Sequence, residues 1–256
     1  VNAVATAKPI QLGENSWASY QSMLTNYWQK WTAEIDGAVQ AGFIEGQSMS
    51  QISNIIYDSI SVSKTGTTKK VGDKAWRSAK TMARMGVNHY ANTARIAFAQ
   101  DNTDIITGMT IISVIDSSTS QKCRGLDGEV IKLDDPKLNS FICPLHRGCR
   151  SANGFDVDER YKLDKDKTDR ASSFEVDGKR DPKPVSSEGI YYDKMAKHSA
   201  KDQDVILGPT LGKAFRKMNS PSEFAKATID TLGNPLTIKQ MKAKDNELAR
   251  ILKGYD

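Results

Sequence analysis

Three potential metal ligands, Cys143, His146 and Cys149, lie within seven residues of a chain that contains only three cysteines and three histidines. Two residues separate each of these ligands from the next. Structural zinc is bound tetrahedrally by four thiolate or imidazole groups, and closely spaced ligands commonly come from one loop. The cluster therefore predicts one side of a zinc site and requires a fourth ligand from elsewhere in the chain.

The remaining cysteine can supply that ligand. Cys123 lies twenty positions before Cys143, at the start of a segment whose Asp127-Gly128 pair is a strong hairpin turn signal. A hairpin would fold Cys123 back beside the loop, and Cys123, Cys143, His146 and Cys149 would then form a closed structural zinc site. The alternative is that the cysteines are small buried hydrophobic residues and His146 is hydrogen-bonded in a tight turn.

The other two histidines, His89 and His198, are predicted to be packed or surface residues. An odd number of cysteines without a secretory signal favours thiols or metal ligands over a disulfide framework, and hence a reducing compartment. The chain opens on Val1 rather than methionine. We expect that its original start was removed, by maturation cleavage or by a chosen boundary.

Apolar residues at three- and four-residue steps predict a helical region over 16–108, after an extended arm over 1–15. Its first helix runs to about residue 42 and contains three of the four tryptophans. This stripe is typical of a core-packing face, with a partner-binding face as the alternative. Two further helices are predicted over 49–60, with Ser48 as the cap, and over about 74–99.

The remainder of the chain divides into three segments. A small β-rich module over 109–155 begins with the β-branched stretch GMTIISVID and ends in the Cys/His cluster. A charged linker follows over 156–187, because dense alternating charge cannot bury enough apolar area to offset the ordering entropy. Short helices then close the chain over 188–256, with caps at Ser220 and Thr237.

The predicted fold class is therefore α+β and mostly α-helical. It combines a helical N-terminal region, a small β-hairpin module stapled by zinc, and short C-terminal helices after a charged linker. The net charge of +5 and the sequence pI near 8.9 permit weak, salt-sensitive contact with a polyanion. The densest basic stretch, which a solvated helix face also explains, consists of Lys69, Lys70, Lys74, Arg77 and Lys80. No segment is apolar and long enough to predict a membrane span.

Two segments resemble a known family. VIDSSTSQKCRGLDGEVIKL at 114–133, followed by CPLHRGCRS at 143–151, resembles the signature of the Mu F-like head morphogenesis proteins, the minor head proteins of tailed bacteriophages. The C-terminal stretches KDQDVILGPTLGKAFRKM and LTIKQM are similar to the tail of the same family. The positions that match the central motif are Asp116, Thr119, Cys123, Leu126, Asp127, Gly128, Pro144, His146, Cys149 and Arg150.

The sequence departs from the family pattern at two positions that bear on the zinc site. Ser120 stands where many members carry a second cysteine, and Cys143 stands where proline is common. The loss and the gain together would restore a set of four ligands. The turn DSSTS also lacks the arginine that often follows the Asp-Ser pair in this family, so no role of that arginine is carried over.

The resemblance implies a non-catalytic, low-copy minor capsid protein of a tailed phage. Such a protein would be assembled in the host cytoplasm and located in the virion at the portal vertex. Its implied partners are the portal and/or the major capsid protein, with non-specific contact to packaged DNA, and no membrane or small-molecule substrate. An internal virion protein that is ejected into the host with the genome is the alternative.

An enzyme is the third reading of the same residues. In a metal-dependent nuclease or hydrolase, Asp116 and Asp127 would hold a divalent ion and His146 would act as the base. Structural roles are favoured instead, because Asp116 can close the turn after its strand and Asp127-Gly128 can form a tight hairpin turn. Arg150 is expected to bond to the hairpin carbonyls or to Asp116.

Overall fold

The computed structural model describes residues 9–13, 16–19, 32–60, 69–162, 169–176, 179–182 and 184–255. Within them the fold is α+β, roughly half helical with a small amount of sheet, which confirms the predicted class. No helix in the described ranges is long and apolar enough to cross a membrane.

The elements are numbered here in chain order. The helices are α1 Thr32–Ile44, α2 Met49–Ile60, α3 Lys69–Asp101, α4 Gln121–Leu126, α5 Tyr191–Met195, α6 Ala200–Leu207, α7 Pro209–Lys217, α8 Pro221–Ala227, α9 Ile238–Lys244 and α10 Asn246–Ile251. The strands are β1 Pro9–Gly13, β2 Ser16–Ser19, β3 Ile106–Ile112, β4 Ile115–Asp116, β5 Val130–Lys132, β6 Ala152–Val157, β7 Asp169–Arg170, β8 Ser172–Val176, β9 Lys179–Pro182 and β10 Val185–Ser186.

The chain forms two compact units, each made of separate stretches of sequence. The first comprises Val1–Met109 with Ile131–Phe155, and the second comprises Thr110–Val130 with Asp156–Asp256. One of the two three-stranded sheets in the described residues has the order β5-β3-β6. A 3₁₀ turn at Leu138–Phe141 leads from β5 toward the Cys/His cluster.

The first unit is built around α1, α2 and α3, which pack on one another. Ser48 caps α2, because its hydroxyl accepts the Gln51 N–H while the Gln51 side chain accepts the Ser48 N–H. Ile52 and Ile56 of α2 are fully buried. The predicted helix over 49–60 is confirmed at both ends, and the helix predicted over 74–99 lies inside α3.

The first predicted helix differs from the structure. Residues 16–19 form strand β2, which pairs antiparallel with β1, and the described part of the first helix is α1, Thr32–Ile44. The stretch between them, with the tryptophans Trp28 and Trp31, lies outside the described residues.

The second unit contains a sheet of order β4-β8-β9, in which β4 pairs parallel with β8 and β8 pairs antiparallel with β9. Strands β7 and β10 form a separate antiparallel pair. Strands β7 to β10 lie in the segment 156–187, which was predicted to be a linker because of its dense charge. Backbone pairing with Ile115 and burial of Phe174, which is 5% exposed, give this segment its order in the described ranges.

Helices α5 to α10 surround an aromatic core in the second unit. The rings of Tyr192, Phe215 and Phe224 lie with centroids 5.1 to 5.6 Å apart, distances typical of favourable ring pairs. Two predicted caps are present, because Ser220 accepts the Glu223 N–H and Thr237 forms a reciprocal capping box with Gln240. These local signals define where α8 and α9 begin.

Candidate metal centre

The loop that carries Cys143, His146 and Cys149 is held to helix α3 by asparagine side chains. Asn153 accepts the Cys143 N–H at 2.7 Å and donates to the Phe141 carbonyl at 3.0 Å. Its own N–H donates to the side chain of Asn92 on α3 at 2.8 Å. Because Cys143 and Asn153 are both buried, these bonds replace water for polar groups that would otherwise be left without partners.

A second contact fixes the end of the same loop. The Asn88 side chain on α3 donates to the Ser151 carbonyl at 2.9 Å, and the Asn92 side chain donates to the Asn88 carbonyl at 2.7 Å. Within the loop, the Cys149 N–H donates to the His146 carbonyl at 3.0 Å and closes a turn. The Cys143-Pro144 peptide bond is cis.

Cys123 is positioned by helix α4. Ser120 is the N-cap of this helix and accepts the Cys123 N–H at 3.2 Å. The Ser113 hydroxyl donates to the Cys123 carbonyl at 2.7 Å. Hydrogen bonds to its backbone therefore hold Cys123 in place, and Cys123 is only 2% exposed.

Three of the four predicted ligands come together in the structure. One ligand atom from each of Cys123, His146 and Cys149 lies within 4.8 Å of the other two. The two cysteines are buried and His146 is partly buried. Cys143 is fully buried but is not a member of this group. None of the three cysteines forms a disulfide.

The hydrogen bond of His146 indicates which ring nitrogen is available to a metal. Nδ1 lies 2.9 Å from the Arg147 carbonyl oxygen. A carbonyl oxygen can only accept, so Nδ1 carries the proton and donates it in this bond. The lone pair of the neutral ring is then on Nε2, as in metal sites where a backbone carbonyl orients the imidazole.

The donor set fits zinc. Two thiols and one imidazole are the ligand types that zinc takes in structural sites. Bonds of about 2.0 to 2.3 Å in a tetrahedron place the ligand atoms roughly 3.5 Å apart, a separation that the 4.8 Å limit of this group accommodates. The residues present can therefore hold a zinc ion, with one position left for a further ligand.

The structure places Asp116 and Asp127 in structural networks. Asp116 accepts the Ser118 N–H and the Thr119 hydroxyl, each at 3.0 Å, and so closes the turn after β4. Asp127 accepts the Tyr191 N–H at 2.6 Å on one oxygen and the Ser113 N–H at 2.7 Å on the other. Both oxygens of Asp127 are thus engaged by the protein itself.

The expected hairpin at Asp127-Gly128 is replaced by a helix end. Cys123 lies within α4, Asp127 is the residue that follows this helix, and Gly128 has a φ of +81°. The Gly128 N–H then donates to the Ile111 carbonyl at 2.8 Å. Because Ser120 supplies an N-cap, the segment before Asp127 forms a helical turn instead of a strand. Arg150 is partly buried, and its predicted bonds remain a prediction.

Comparison with protein families finds a match for the region that contains the candidate metal centre. Residues 33–153 match the family model described as Phage Mu protein F like protein. This region is similar to the Mu F-like family. The match contains Cys123, His146, Cys149 and their asparagine supports, and it confirms the resemblance inferred from the central motif.

The Mu F-like family points to a head morphogenesis or structural protein of a bacteriophage. This is the coarse role that the central motif also implied. Neither the search of curated proteins nor the search of solved structures finds a match to this chain.

The sequence analysis did not predict the asparagines that support the loop with Cys143, His146 and Cys149. Asn88 and Asn92 lie four residues apart on α3, which places both on one face of the helix. That spacing was a usable signal, because asparagine is unfavourable in helix interiors unless its side chain finds a partner. The contact of Asn153 with Asn92, by contrast, could not be predicted from local spacing, because the two residues are 61 positions apart.

His89 and His198 lie away from this group of ligands. His89 is buried in α3, and its ring packs edge-on against Tyr90 at 5.5 Å. The His198 ring lies 4.1 Å from the ring centroid of Phe174. Both histidines are therefore packed against aromatic rings, which is the first of the two settings, packed or surface, that were predicted for them.

Proposed function

We propose that this protein is a low-copy minor capsid protein of a tailed bacteriophage and that it is associated with the portal vertex of the head. The observation that carries the proposal is the Mu F-like match over residues 33–153. This match includes the loop with the Cys/His cluster, which is the most specific motif of the chain. The proposed site of action is the virion, after assembly in the host cytoplasm.

A non-catalytic role is part of the proposal. A hydrolase of the kind considered above would need the carboxylates of Asp116 and Asp127 free to hold its metal ion. The oxygens of Asp127 accept backbone N–H groups and the Arg170 guanidinium, and Asp116 closes its own turn. These contacts support structural roles for Asp116 and Asp127, whereas a hydrolase would need both carboxylates for its metal ion.

The proposal also includes a structural zinc ion bound by Cys123, His146 and Cys149. Buried thiols and a histidine oriented by a backbone carbonyl support this assignment. Cys143 is the fourth ligand expected from the sequence, and its buried position in the same loop keeps it a candidate. The metal would stabilise the fold and take no part in a reaction.

Protein partners are proposed to be the portal and/or the major capsid protein. The first unit carries a pair of exposed aromatic rings that supports a protein-binding surface, since Phe98 is 55% exposed and Phe155 is 39% exposed. Their ring centroids lie 5.6 Å apart. Aromatic residues are enriched at protein interfaces, where they bury a large area.

The test is the copy number of this chain in heads of the phage that encodes it. Quantitative mass spectrometry of purified heads should give far fewer copies than of the major capsid protein, and heads assembled without the portal should lack the chain. Absence from the heads, or retention at full level without the portal, would contradict the proposal. Loss of the chain from particles after DNA ejection would favour the alternative, an ejected internal protein.

A further inference from the structure

Lys122 is buried in the second unit, although lysine is among the residues least often found inside proteins. It lies on α4 and is only 6% exposed. Its ammonium donates to the side-chain carbonyl oxygen of Asn234 at 3.2 Å, a residue 112 positions away in the chain. Asn234 is itself only 9% exposed. An amine and a side-chain amide are therefore held in contact away from bulk water.

A carboxylate lies beside the same amide. Asp230 Oδ2 accepts an N–H of Asn234 Nδ2 at 3.0 Å. Asp230 Oδ1 accepts the backbone N–H groups of Leu232 and Asn234, both at 2.8 Å. Burial alone would raise the pKa of Asp230, but the hydrogen bonds from Asn234 and Leu232 and the charge of Lys122 outweigh it and lower the pKa. The carboxylate is therefore ionised at neutral pH and can accept a proton.

The loop that carries the amide and the carboxylate is closed on itself. It consists of residues 229–235, between α8 and α9, and its first and last residues form an isolated antiparallel bridge. The Asp230 N–H donates to the Asn234 carbonyl at 2.9 Å, and the Gly233 N–H donates to the Asp230 carbonyl at 3.1 Å. These backbone bonds fix the two side chains relative to each other.

The same loop packs closely on α4. A Cβ atom added at Gly125 of α4 would collide with the Ile229 side chain, and one added at Gly233 would collide with the Leu126 side chain. The Gln121 side chain on α4 also donates to the backbone carbonyl just before the loop at 3.1 Å. Three separate contacts therefore hold the helix that carries the amine against the loop that carries the amide.

We propose that Lys122 and Asn234 form an intramolecular isopeptide bond and that Asp230 catalyses its formation. The Lys122 Nζ atom attacks the Asn234 Cγ atom, so that an Nζ–Cγ bond forms and the Cγ–Nδ2 bond breaks. The Nδ2 nitrogen leaves as ammonia. Nothing is oxidised or reduced, and no further reactant takes part.

Asp230 transfers the protons of this reaction. Its carboxylate takes a proton from the Lys122 ammonium, which frees the lone pair that attacks the amide carbon. It then gives a proton to Asn234 Nδ2, to which it is already hydrogen-bonded, as this nitrogen leaves. Nζ loses two protons in all, and the departing ammonia takes up the second as an ammonium ion. The carboxylate thus ends the reaction ionised, as it began.

The distances permit this reaction after a small shift of the amine. Because a C=O bond is about 1.2 Å long, Nζ lies within about 4.4 Å of the Asn234 Cγ atom. A reactive arrangement needs about 3–3.5 Å, and groups held in this way react as one molecule. The product also replaces a buried ammonium by a neutral amide, which removes the cost of a buried charge.

The bond would join the Mu F-like region to the C-terminal part of the chain. Lys122 lies inside the matched residues 33–153, whereas Asn234 lies beyond them. A covalent bond between positions so far apart restricts the unfolded chain and therefore favours the folded state. This inference concerns the second unit alone, and it does not rest on the proposed location in the phage head.

The experiment is mass spectrometry of the intact full chain. Purified wild-type protein should weigh less than its sequence predicts, by the mass of one ammonia molecule per chain. Digestion with trypsin should then yield a branched peptide that joins residue 122 to residue 234. Full mass of the folded wild-type chain, even after prolonged incubation at physiological temperature, would overturn the inference.

Substitutions test the role of each group. Lys122→Arg and Asn234→Ala should both retain the full mass, since the first lacks the attacking amine and the second lacks the amide. Asp230→Asn keeps both reacting groups and an oxygen that can accept the loop N–H groups, but it should form the bond at least about 100-fold more slowly. The matched control is Lys242→Arg, which alters a lysine bonded to the Tyr255 backbone carbonyl and should retain the mass deficit.

These variants separate the proposal from simple hydrogen bonding. Circular dichroism checks that each variant is folded. A mass deficit that persists in Lys122→Arg would show that the bond does not involve this amine. Formation of the bond at the wild-type rate in Asp230→Asn would refute the catalytic role of the carboxylate.

Other reactions are distinguished by the same spectra. Asparagine also loses ammonia when the next backbone nitrogen attacks its side chain, but residue 235 is proline, whose nitrogen carries no hydrogen. Asn153 precedes a glycine, so a deficit located there without a branched peptide would contradict the proposal. Loss of water with a branch between Lys122 and Asp230 would likewise overturn the assignment of Asn234 as the reacting group.

Discussion

The Asp127 carboxylate lies 2.5 Å from the Arg170 guanidinium, and the Asp127 side chain is completely buried. The same Arg170 nitrogen donates to the Ser113 carbonyl at 2.6 Å, while Asp127 accepts the Ser113 N–H. The other Asp127 oxygen accepts the N–H of Tyr191, the first residue of α5. One carboxylate thus connects β7, the β3–β4 connection and the start of α5 within the second unit.

Asp127→Asn should destabilise the second unit strongly. The substitution keeps the size of the side chain but leaves the Arg170 charge buried without its counter-charge, which typically costs about 3–5 kcal/mol. Urea unfolding followed by circular dichroism measures the change in the free energy of unfolding. The matched control is Asp158→Asn, which removes an exposed ion pair with Arg160 and should change little. Similar effects of the two substitutions would contradict the central role of Asp127.

Asn153→Ala should loosen the loop that carries Cys143. It removes the acceptor of the Cys143 N–H and the donor to the Phe141 carbonyl, and each buried group left without a partner costs about 1–3 kcal/mol. Thermal unfolding should therefore show a lower Tm. Asn139→Ala serves as the control, because Asn139 is exposed in the nearby 3₁₀ turn. If both variants melt at the wild-type temperature, the hydrogen bonds of Asn153 do not stabilise the loop.

Removal of metal should destabilise the protein. Elemental mass spectrometry of protein purified reduced and without chelators should find about one zinc per chain. A strong chelator should then lower the Tm, since zinc binding contributes directly to folding, with affinities of about 10–16 kcal/mol in zinc-finger peptides. Protein that contains no metal under these conditions would show that the cysteines and His146 form only a packed cluster.

Single substitutions identify the ligands of that zinc. Cys149→Ser should abolish zinc binding, lower the stability by several kcal/mol and remove the response to the chelator. Cys143→Ser tests the fourth position, because Cys143 lies outside the group of three ligand atoms. Loss of zinc in Cys143→Ser would make it a ligand, whereas full retention would assign it to packing.

The stability of the second unit should decrease on mild acidification. Burial lowers the pKa of His198, and the nearby Asp202 carboxylate opposes this shift only in part. In the unfolded chain the histidine has a pKa of about 6.5, so the unfolded chain binds more protons than the folded one as the pH falls. The contribution of His198 is complete above that value and is lost as the pH falls toward the folded pKa.

The measurement is urea unfolding at several pH values between 7 and 5 for the wild type and for His198→Gln. Glutamine does not titrate, so the variant should show a smaller decrease in stability over this range. Identical slopes for the two proteins would mean that the stacking of His198 on Phe174 is not coupled to protonation.

Local signals in the sequence predicted local structure well. Ser48, Ser220 and Thr237 cap the helices that they were expected to cap, because a capping bond joins residues only three positions apart. The central motif likewise pointed to the Mu F-like family, because it also consists of residue types at fixed spacings. The inclusion of Cys123 among the expected ligands rested instead on a hairpin that the structure replaces with a helix end.

Contacts between distant residues could not be predicted in this way. Arg170 is 43 positions from Asp127, and Tyr191 is 64 positions from it. The hairpin rule also failed at Asp127-Gly128. This pair follows a helix that is capped by Ser120, so it ends a helix instead of joining two adjacent strands. A local Asp-Gly signal therefore fits more than one setting, and tertiary context decides between them.

The contacts of Asp127 have a consequence for the order in which the chain matures on the ribosome. The segment recognisable as Mu F-like ends at residue 153, but Arg170 and Tyr191 are synthesised later. The Asp127 carboxylate lacks its counter-charge until residue 170 has been synthesised, and it lacks its backbone donor at the start of α5 until residue 191 has been synthesised. The stretch Thr110–Val130 can therefore complete its contacts within the second unit only after the C-terminal part of the chain has been synthesised. The segment that the family match covers thus lacks two of the partners of the buried Asp127 carboxylate.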